Sequence, residues 1–196
     1  MHIRIQWISQ VSFSLPDYKN EAERRKLPAL VDELIKSPHH SFRQSGLFLA
    51  QGLPREEYFC VLQKLSTDSD SNVRASAADC TRNFTARIRK TVQGKRHTFL
   101  DGTQDPRIFE ILRALAADKS PNVRLKAAYA LGDHLYKEAR NLLDDLLRDS
   151  SEEVRKAAEH SKARLDSQQA LADECETAIN QSRAQDVVTP RANDGT

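Results

Sequence analysis

An acidic and a basic residue recur at a fixed spacing along this chain of 196 residues. In three places an aspartate is followed five residues later by a valine and six residues later by an arginine: Asp68 and Arg74, Asp118 and Arg124, and Asp149 and Arg155. A carboxylate placed with a guanidinium could form a charged site, or it could belong to a structural framework. Three copies make a single active site a poor explanation and indicate one unit that is used several times.

The sequence around these pairs repeats at many positions. A valine precedes each arginine, and a fourth, degenerate copy has Phe42 before Arg43. Measured from this anchor, aliphatic residues recur 11 and 8 positions before it and a small residue 4 positions after it: Val31, Leu34 and Gly46; Leu62, Leu65 and Ala77; Leu112, Leu115 and Ala127; Leu143, Leu146 and Ala158. The anchors lie 31, 50 and 31 residues apart, so the middle spacing contains one unit and an insertion of 19 residues.

Helical patterns occupy both halves of each unit. Apolar residues fall on one helical face on either side of the anchor, and polar turn residues lie between the two halves. Asp105 followed by Pro106 is typical of a helix start. The sequence therefore predicts an all-α fold of about four helix–turn–helix units, stacked into a solenoid with a shared core. The predicted units are 23–53, 54–84, 104–134 and 135–165.

This pattern resembles HEAT repeats, particularly the short HEAT-like units first described in phycobilisome lyases. The resemblance covers residues 23–165 and rests on the repeated aspartates and arginines. It implies an α–α superhelix in which those side chains form a ladder between neighbouring turns, and in which the second helices line the concave face. Ser37 stands in place of the aspartate in the first unit, which leaves that unit without a predicted rung.

Composition narrows the class of protein. The net charge is +2, so the chain as a whole is no polyelectrolyte. No apolar run reaches the roughly eighteen residues of a membrane span, and the start of the chain lacks the pattern of a signal peptide. The three cysteines are widely spaced and form no CxxC pair. This cysteine usage favours a reducing compartment, and we expect a cytoplasmic protein.

The insertion between the second and third units, residues 85–103, is strongly basic. Against a single acid it contains five cations: Arg87, Arg89, Lys90, Lys95 and Arg96. The apolar spacing of Phe84, Ile88 and Val92 predicts that the preceding helix continues to about Val92, before Gly94 ends it. Two interpretations fit the charges. The insertion is a solvated loop tolerated at a repeat junction, or it is a projecting element that binds an acidic protein surface or a phosphate backbone.

A second candidate surface lies on the second helices. Six residues after each anchor stand residues of different types: Phe48, Asp79, Tyr129 and His160. A variable row on regular helices suits a binding groove, and an ordinary solvated face would show the same variation. Tyr129, His134 and Tyr136 form the most aromatic patch on this side. With His160 they are the candidate partner-binding residues of the second helices.

The two ends of the chain differ from the repeats. Residues 1–22 alternate between apolar and polar types as a β-strand does. We interpret them as an arm that packs over the first unit or adds to a sheet in another protein. Residues 166–185 predict a helix that caps the stack, and residues 186–196 predict a disordered tail.

Catalytic motifs are missing from the sequence. It contains no glycine-rich phosphate loop and no nucleophile elbow, and Cys80 falls on an apolar stripe, as a core thiol does. The deoxyhypusine hydroxylase branch of HEAT-like proteins uses repeated His-Glu pairs to hold iron, and this chain has no His-Glu dipeptide. His134 and His160, with Asp133 and Glu159 beside them, are interpreted as polar residues of solvated helices. We therefore expect no metal, no cofactor and no catalytic residue.

The sequence favours a non-catalytic scaffold or adaptor that binds a protein partner through its concave helices and its basic insertion. Nucleic-acid binding through the insertion is the alternative, and a regulatory or lyase-like subunit acting on a small ligand is the second alternative. Three acids on or near the groove weigh against the continuous basic surface that nucleic acid requires: Asp79, Asp133 and Glu159. The sequence defines neither the partner nor the oligomeric state.

Overall fold

A computed structural model describes residues 25–84, 87–92, 95–100, 105–134, 136 and 138–188. The predicted N-terminal arm, residues 1–22, lies outside the described residues, as do residues 189–196 of the predicted tail. Within the described ranges the chain is helical, apart from turns and one β-hairpin.

Helix–turn–helix pairs build the described chain. The first two pairs are α1 (Leu27–Ile35) with α2 (His40–Leu49) and α3 (Arg55–Leu65) with α4 (Ser71–Cys80). The last two pairs are α5 (Pro106–Ala116) with α6 (Pro121–Leu131) and α7 (Ala139–Leu146) with α8 (Glu152–Val188). Short 3₁₀ helices follow α2 and α4, at Ala50–Gly52 and Thr81–Phe84. The pairs follow the order of the predicted units, although the last helix continues past residue 165. The predicted α-helical solenoid is confirmed.

Local sequence signals explain where the helices begin. Asp105 caps α5, as predicted, by accepting a hydrogen bond from the Arg107 amide at 3.1 Å. Asp70 caps α4 through the Asn72 amide at 2.8 Å. Prolines stand in the first turns of α1, α5 and α6. In the first turn a backbone N–H has no acceptor within the helix, so its absence in proline costs no hydrogen bond.

The repeated apolar residues form one continuous core. The three anchor valines and the leucines eleven positions before them are fully buried: Val73, Val123, Val154, Leu62, Leu112 and Leu143. The small residues after the anchors let helices approach closely, and a Cβ atom on Gly46 would lie 2.8 Å from Cγ2 of Ile35. Removal of this apolar surface from water is the main force that holds the repeats together.

The second helices stack directly on one another. Helix α2 contacts α4, α4 contacts α6, and α6 contacts α8. Gly132 follows α6 at the contact with α8, and a Cβ atom there would lie 2.9 Å from the Cα atom of Ser161. Because α4 and α6 touch, the insertion between them leaves the stack of second helices continuous.

The insertion contains a β-hairpin, so the predicted continuation of the helix to Val92 is wrong. Helix α4 ends at Cys80, and strands β1 (Arg87–Val92) and β2 (Lys95–Leu100) pair antiparallel, with Val92 opposite Lys95. The four-residue spacing between Ile88 and Val92 fits the period of a strand as well as that of a helix. The two-residue connection with a glycine at position 94 was the overlooked hairpin signal.

The last helix is longer than predicted. Helix α8 runs without a break from Glu152 to Val188 and joins the second helix of the fourth unit to the predicted capping helix, residues 166–185. No proline or glycine lies in this stretch, so nothing in the sequence ends the helix near residue 165. No helix in the described ranges combines the length and the apolar character needed to cross a membrane.

Candidate functional site

The repeated arginines join successive repeats. Arg74 donates from Nε and Nη2 to the two carboxylate oxygens of Asp118, at 2.6 and 2.9 Å. Arg124 donates in the same way to Asp149, at 2.6 and 2.8 Å. In each arginine Nη1 also donates to two carbonyl oxygens of its own turn, at 2.8 and 3.0 Å for Arg74. Each arginine therefore ties its own turn to the aspartate of the next repeat.

The two ends of this ladder differ. Arg43 donates from Nε and Nη2 to Asp68, both at 2.7 Å, so the rung between the first two units is present although Ser37 replaces an aspartate. The substitution is harmless because each rung uses the aspartate of the following unit. Arg155, in the last unit, donates to two carbonyl oxygens of its own turn and has no carboxylate partner among the described residues.

The ladder pairs are shielded from water. The side chains of Arg74 and Asp118 are 8% and 11% exposed. The hydrogen bond from Arg124 is the main cause that holds the pKa of Asp149 below its usual range, against the opposing effect of burial. Since the guanidinium donors are used within the framework, these residues have a structural role and offer little to a ligand.

Exposed and partly exposed side chains form a row along the second helices, here called the second-helix face: Phe48, Asp79, Tyr129 and His160. Phe48 is 48% exposed and Tyr129 is 38% exposed. The rings of Tyr129 and His160 make an edge contact with centroids 6.2 Å apart. Asp79 pairs with Lys126 of the next repeat at 2.9 Å. The face thus presents aromatic surface beside a neutralised ion pair.

His134 and Tyr136 do not belong to this face, so the predicted aromatic patch is wrong at these two residues. His134 is 1% exposed, and burial lowers its pKa to about 4, so the ring is neutral at pH 7. It stacks on the Tyr136 ring with centroids 5.2 Å apart, and the Tyr136 hydroxyl donates to the Asp105 carbonyl at 2.7 Å. Helix α6 ends at Leu131, so the helical spacing from Tyr129 no longer applies to them.

A second set of ion pairs, which was not predicted from the sequence, involves residues three or four positions after those of the second-helix face. Asp133 is 1% exposed, so its interpretation as a solvated residue is wrong. Arg82 contacts one of its carboxylate oxygens and Arg164 contacts the other. These arginines come from the repeats before and after Asp133. The three residues, here called the arginine bridge, therefore span three repeats.

The arginine bridge is buried at its centre and open at its sides. The side chains of Arg82 and Arg164 are 41% and 38% exposed, whereas that of Asp133 is 1% exposed. All three residues stand nine or ten positions after the anchor of their unit, and this shared offset is the sequence signal that was available.

The basic hairpin, β1 with β2, contacts the last helix, α8. Arg82 precedes the start of β1 by five residues, and β2 contacts α8, the helix that carries Arg164. The predicted cations are divided between the strands, with three on β1 and two on β2: Arg87, Arg89 and Lys90, then Lys95 and Arg96.

Phe84 and Asp105, which flank the insertion, both contact residues of the repeats. Phe84 is buried, and its ring stacks on that of Tyr58 with centroids 5.0 Å apart. The Arg55 guanidinium lies 5.0 Å from the centroid of the same ring. At the other end Asp105 caps α5 and accepts the hydrogen bond from Tyr136. The residues on either side of the insertion are therefore packed into the array.

The described residues contain neither a cluster of potential metal ligands nor an activated cysteine. No three histidine, cysteine or acidic side chains among the described residues lie close enough to hold a metal ion. Cys80 is buried, and burial raises the pKa of its thiol to about 12. It is therefore a protonated core thiol, as predicted, and no nucleophile.

Comparison with known proteins supports a HEAT-like repeat family. A family profile described as HEAT repeats matches residues 98–163. No curated protein matches the sequence. Among solved structures, human deoxyhypusine hydroxylase in complex with glycerol is similar, with 16% sequence identity and a TM-score of 0.56, over 84% of this chain and 54% of that one.

Repeat proteins made by design are also similar. An engineered protein matches with 19% identity and a TM-score of 0.46, over 75% of this chain and 65% of its own. A designed armadillo repeat protein in complex with the peptide (KR)4 matches with 17% identity and a TM-score of 0.40, over 96% of this chain and 92% of its own. The chain thus spans less than two thirds of the engineered protein and about half of the hydroxylase. At such low identities the likeness concerns the fold alone.

Proposed function

We propose that this chain is a non-catalytic scaffold or adaptor, built from short HEAT-like units of the phycobilisome-lyase type, that binds a protein partner through the second-helix face and the basic hairpin. The exposure of Phe48 and Tyr129 carries the proposal. They occupy equivalent positions in separate repeats and stay open to solvent, although most large apolar residues of the described chain are buried. Exposed aromatic residues anchor partner proteins because their rings bury much apolar area with few rotatable bonds.

The charge of the hairpin supports the same function. Residues 87–100 contain five cations and no acid. Such a local positive field raises the association rate with a negatively charged partner, and salt weakens the effect. Neutralising the five cations to glutamine should therefore slow association and flatten its salt dependence.

Affinity capture from the native host, followed by mass spectrometry, supplies the partner for the test. The double variant Phe48→Ala/Tyr129→Ala should then bind that partner at least tenfold more weakly, because both aromatic anchors are lost. Leu30→Ala is the matched control, since Leu30 is a large hydrophobic residue with 41% exposure on the first helix of a repeat. Equal affinities for the parent, the double variant and the control would refute the proposal.

Nucleic-acid binding is the second candidate, and the five cations of the hairpin favour it. The test uses a generic DNA duplex at near-physiological salt with the parent and the five-glutamine variant. Duplex binding that disappears in the variant would promote this candidate above the first. Its absence in the parent leaves the protein partner as the function of the face.

The proposal that the chain is non-catalytic predicts that the purified protein contains no bound metal ion. The sequence lacks the repeated His-Glu pairs of the iron-binding HEAT-like branch. We expect elemental analysis of the purified protein to find no stoichiometric iron or zinc. One metal ion per chain would overturn this part of the proposal.

A further inference from the structure

We infer that the arginine bridge is a carboxylate-binding site: Arg82 and Arg164 grip an acidic side chain of an extended protein segment that lies along the second-helix face. The inference rests on the proposed function, since it names the chemistry of the partner that this face would hold.

The arginine bridge has more hydrogen-bond donors than its carboxylate can accept. Two guanidinium groups carry about ten N–H donors, and one carboxylate accepts about four hydrogen bonds. Asp133 cannot accept from all of these N–H groups, and among the described residues it is the one acid paired with Arg82 and Arg164. The exposure of the two side chains, 41% and 38%, means that a ligand can reach them.

Asp133 prepares these donors for a ligand. It is 1% exposed, so a ligand meets the two arginines and does not meet the carboxylate between them. The three residues together carry one net positive charge. By contacting one oxygen each, the arginines are held close together in a fixed arrangement, which lowers the entropy lost on binding. A planar guanidinium fork matches the geometry of a carboxylate.

The neighbourhood of the bridge favours a protein segment over a nucleic acid. Tyr129 and His160 stand four residues before Asp133 and Arg164 in the sequence, and His160 lies one helical turn before Arg164 on α8. An extended segment can place a carboxylate on the bridge and an apolar side chain on the Tyr129 ring. A phosphate backbone carries a charge at every nucleotide, and along this face it would pass the exposed Glu159.

The test measures fluorescence anisotropy of a labelled twelve-residue peptide of alternating glutamate and tyrosine with the full chain at about 0.15 M salt. A peptide with glutamine in place of glutamate and a DNA duplex are the comparison probes. The glutamate peptide should bind about tenfold more tightly than the glutamine peptide. The variant Arg82→Gln/Arg164→Gln should lose about the same tenfold factor for the glutamate peptide. Arg113→Gln is the control, because Arg113 is 62% exposed on α5 and pairs with Glu110, and it should bind as the parent does.

Equal affinity for the two peptides, or an unchanged affinity in the double variant, would overturn the inference. Duplex binding that exceeds peptide binding and is lost in the same variant would also overturn it, in favour of nucleic acid. If the double variant fails to fold, Arg82→Lys/Arg164→Lys replaces it. That variant keeps both charges beside Asp133 and removes the planar fork, so a drop of about threefold or more is expected, and unchanged binding contradicts the inference.

The proposed function is judged separately. Failure of the glutamate peptide with normal capture of the native partner removes only the carboxylate site. Normal capture by Phe48→Ala/Tyr129→Ala removes the proposed function of the face, whatever the peptide does.

Discussion

Arginine–aspartate ion pairs lie at both ends of the second helices. The ladder is at one end, here called the ladder end, and the arginine bridge is at the other, here called the bridge end. In the ladder, Arg43, Arg74 and Arg124 each have their own aspartate, and the side chains of Arg74 and Asp118 are 8% and 11% exposed. At the bridge end, Arg82 and Arg164 share Asp133 and stay about two fifths exposed. Residue type is the same in both places. The ratio of donors to acceptors and the access of water therefore separate a structural pair from a candidate binding site.

The largest expected effect is at the ladder end. Arg124→Ala leaves Asp149 partly buried without its guanidinium partner and should lower the free energy of unfolding by about 3 kcal/mol. Arg155→Ala is the matched control, because Arg155 holds the same repeat position and lacks a carboxylate partner among the described residues. It should cost about 1 kcal/mol or less. Urea unfolding at pH 7 compares the two, and equal losses would show that the ladder pairs add nothing.

The next effect concerns pH at the bridge end. His134 has a pKa of about 4 in the folded protein because it is buried, with a further lowering from Arg82. In the unfolded chain the ordinary pKa is about 6.5. Between these values the unfolded chain binds a proton that the folded chain does not, so stability falls as the pH drops. At pH 5 the loss from this group should be about 2 kcal/mol. Urea unfolding at pH 7 and pH 5 measures it, and His134→Gln should remove most of it.

The ladder end responds at lower pH. The pKa of Asp149 is held below its ordinary value of 3.8, chiefly by Arg124. Its stabilising effect is therefore complete above that value and is lost as the pH falls through the lowered pKa. Arg124→Ala should weaken the pH dependence below about pH 4 and leave the change between pH 7 and pH 5 intact. A variant at one end that altered both pH windows would show that the two ends do not act separately.

The ladder was predictable because its residues recur in the same positions. Asp68, Asp118 and Asp149 can be identified from their repeated spacing alone, because each repeat contacts its neighbours in the same way. The bridge uses Arg82, Asp133 and Arg164 once each, with alternating charge. Its formation depends on how three helices stack, which a single repeat does not reveal.

The other differences have local causes. His134 and Tyr136 were placed by extending a helix beyond Leu131, where α6 ends and the chain turns into the core. The hairpin was missed because residues four apart share a face in a strand and nearly so in a helix. Sequence periodicity is thus reliable within a repeated element and fails where an element ends.

The smallest expected effect is the loss of stability at the bridge. Arg82→Gln leaves Asp133 in contact with Arg164, and the Arg82 side chain is 41% exposed, so water screens much of the interaction that is lost. The free energy of unfolding should fall by about 1 kcal/mol, less than for Arg124→Ala. Urea unfolding at pH 7 measures both, and Arg113→Gln, the exposed control, should change the free energy of unfolding by about zero.

The double variant Arg82→Gln/Arg164→Gln should lower the free energy of unfolding by more than the sum of the single variants, because each single variant retains the partner that the other removes. If Arg82→Gln alone lowers the free energy of unfolding as much as Arg124→Ala does, the ion pairs at both ends of the second helices have a structural role. The argument for a ligand at the arginine bridge would then fail.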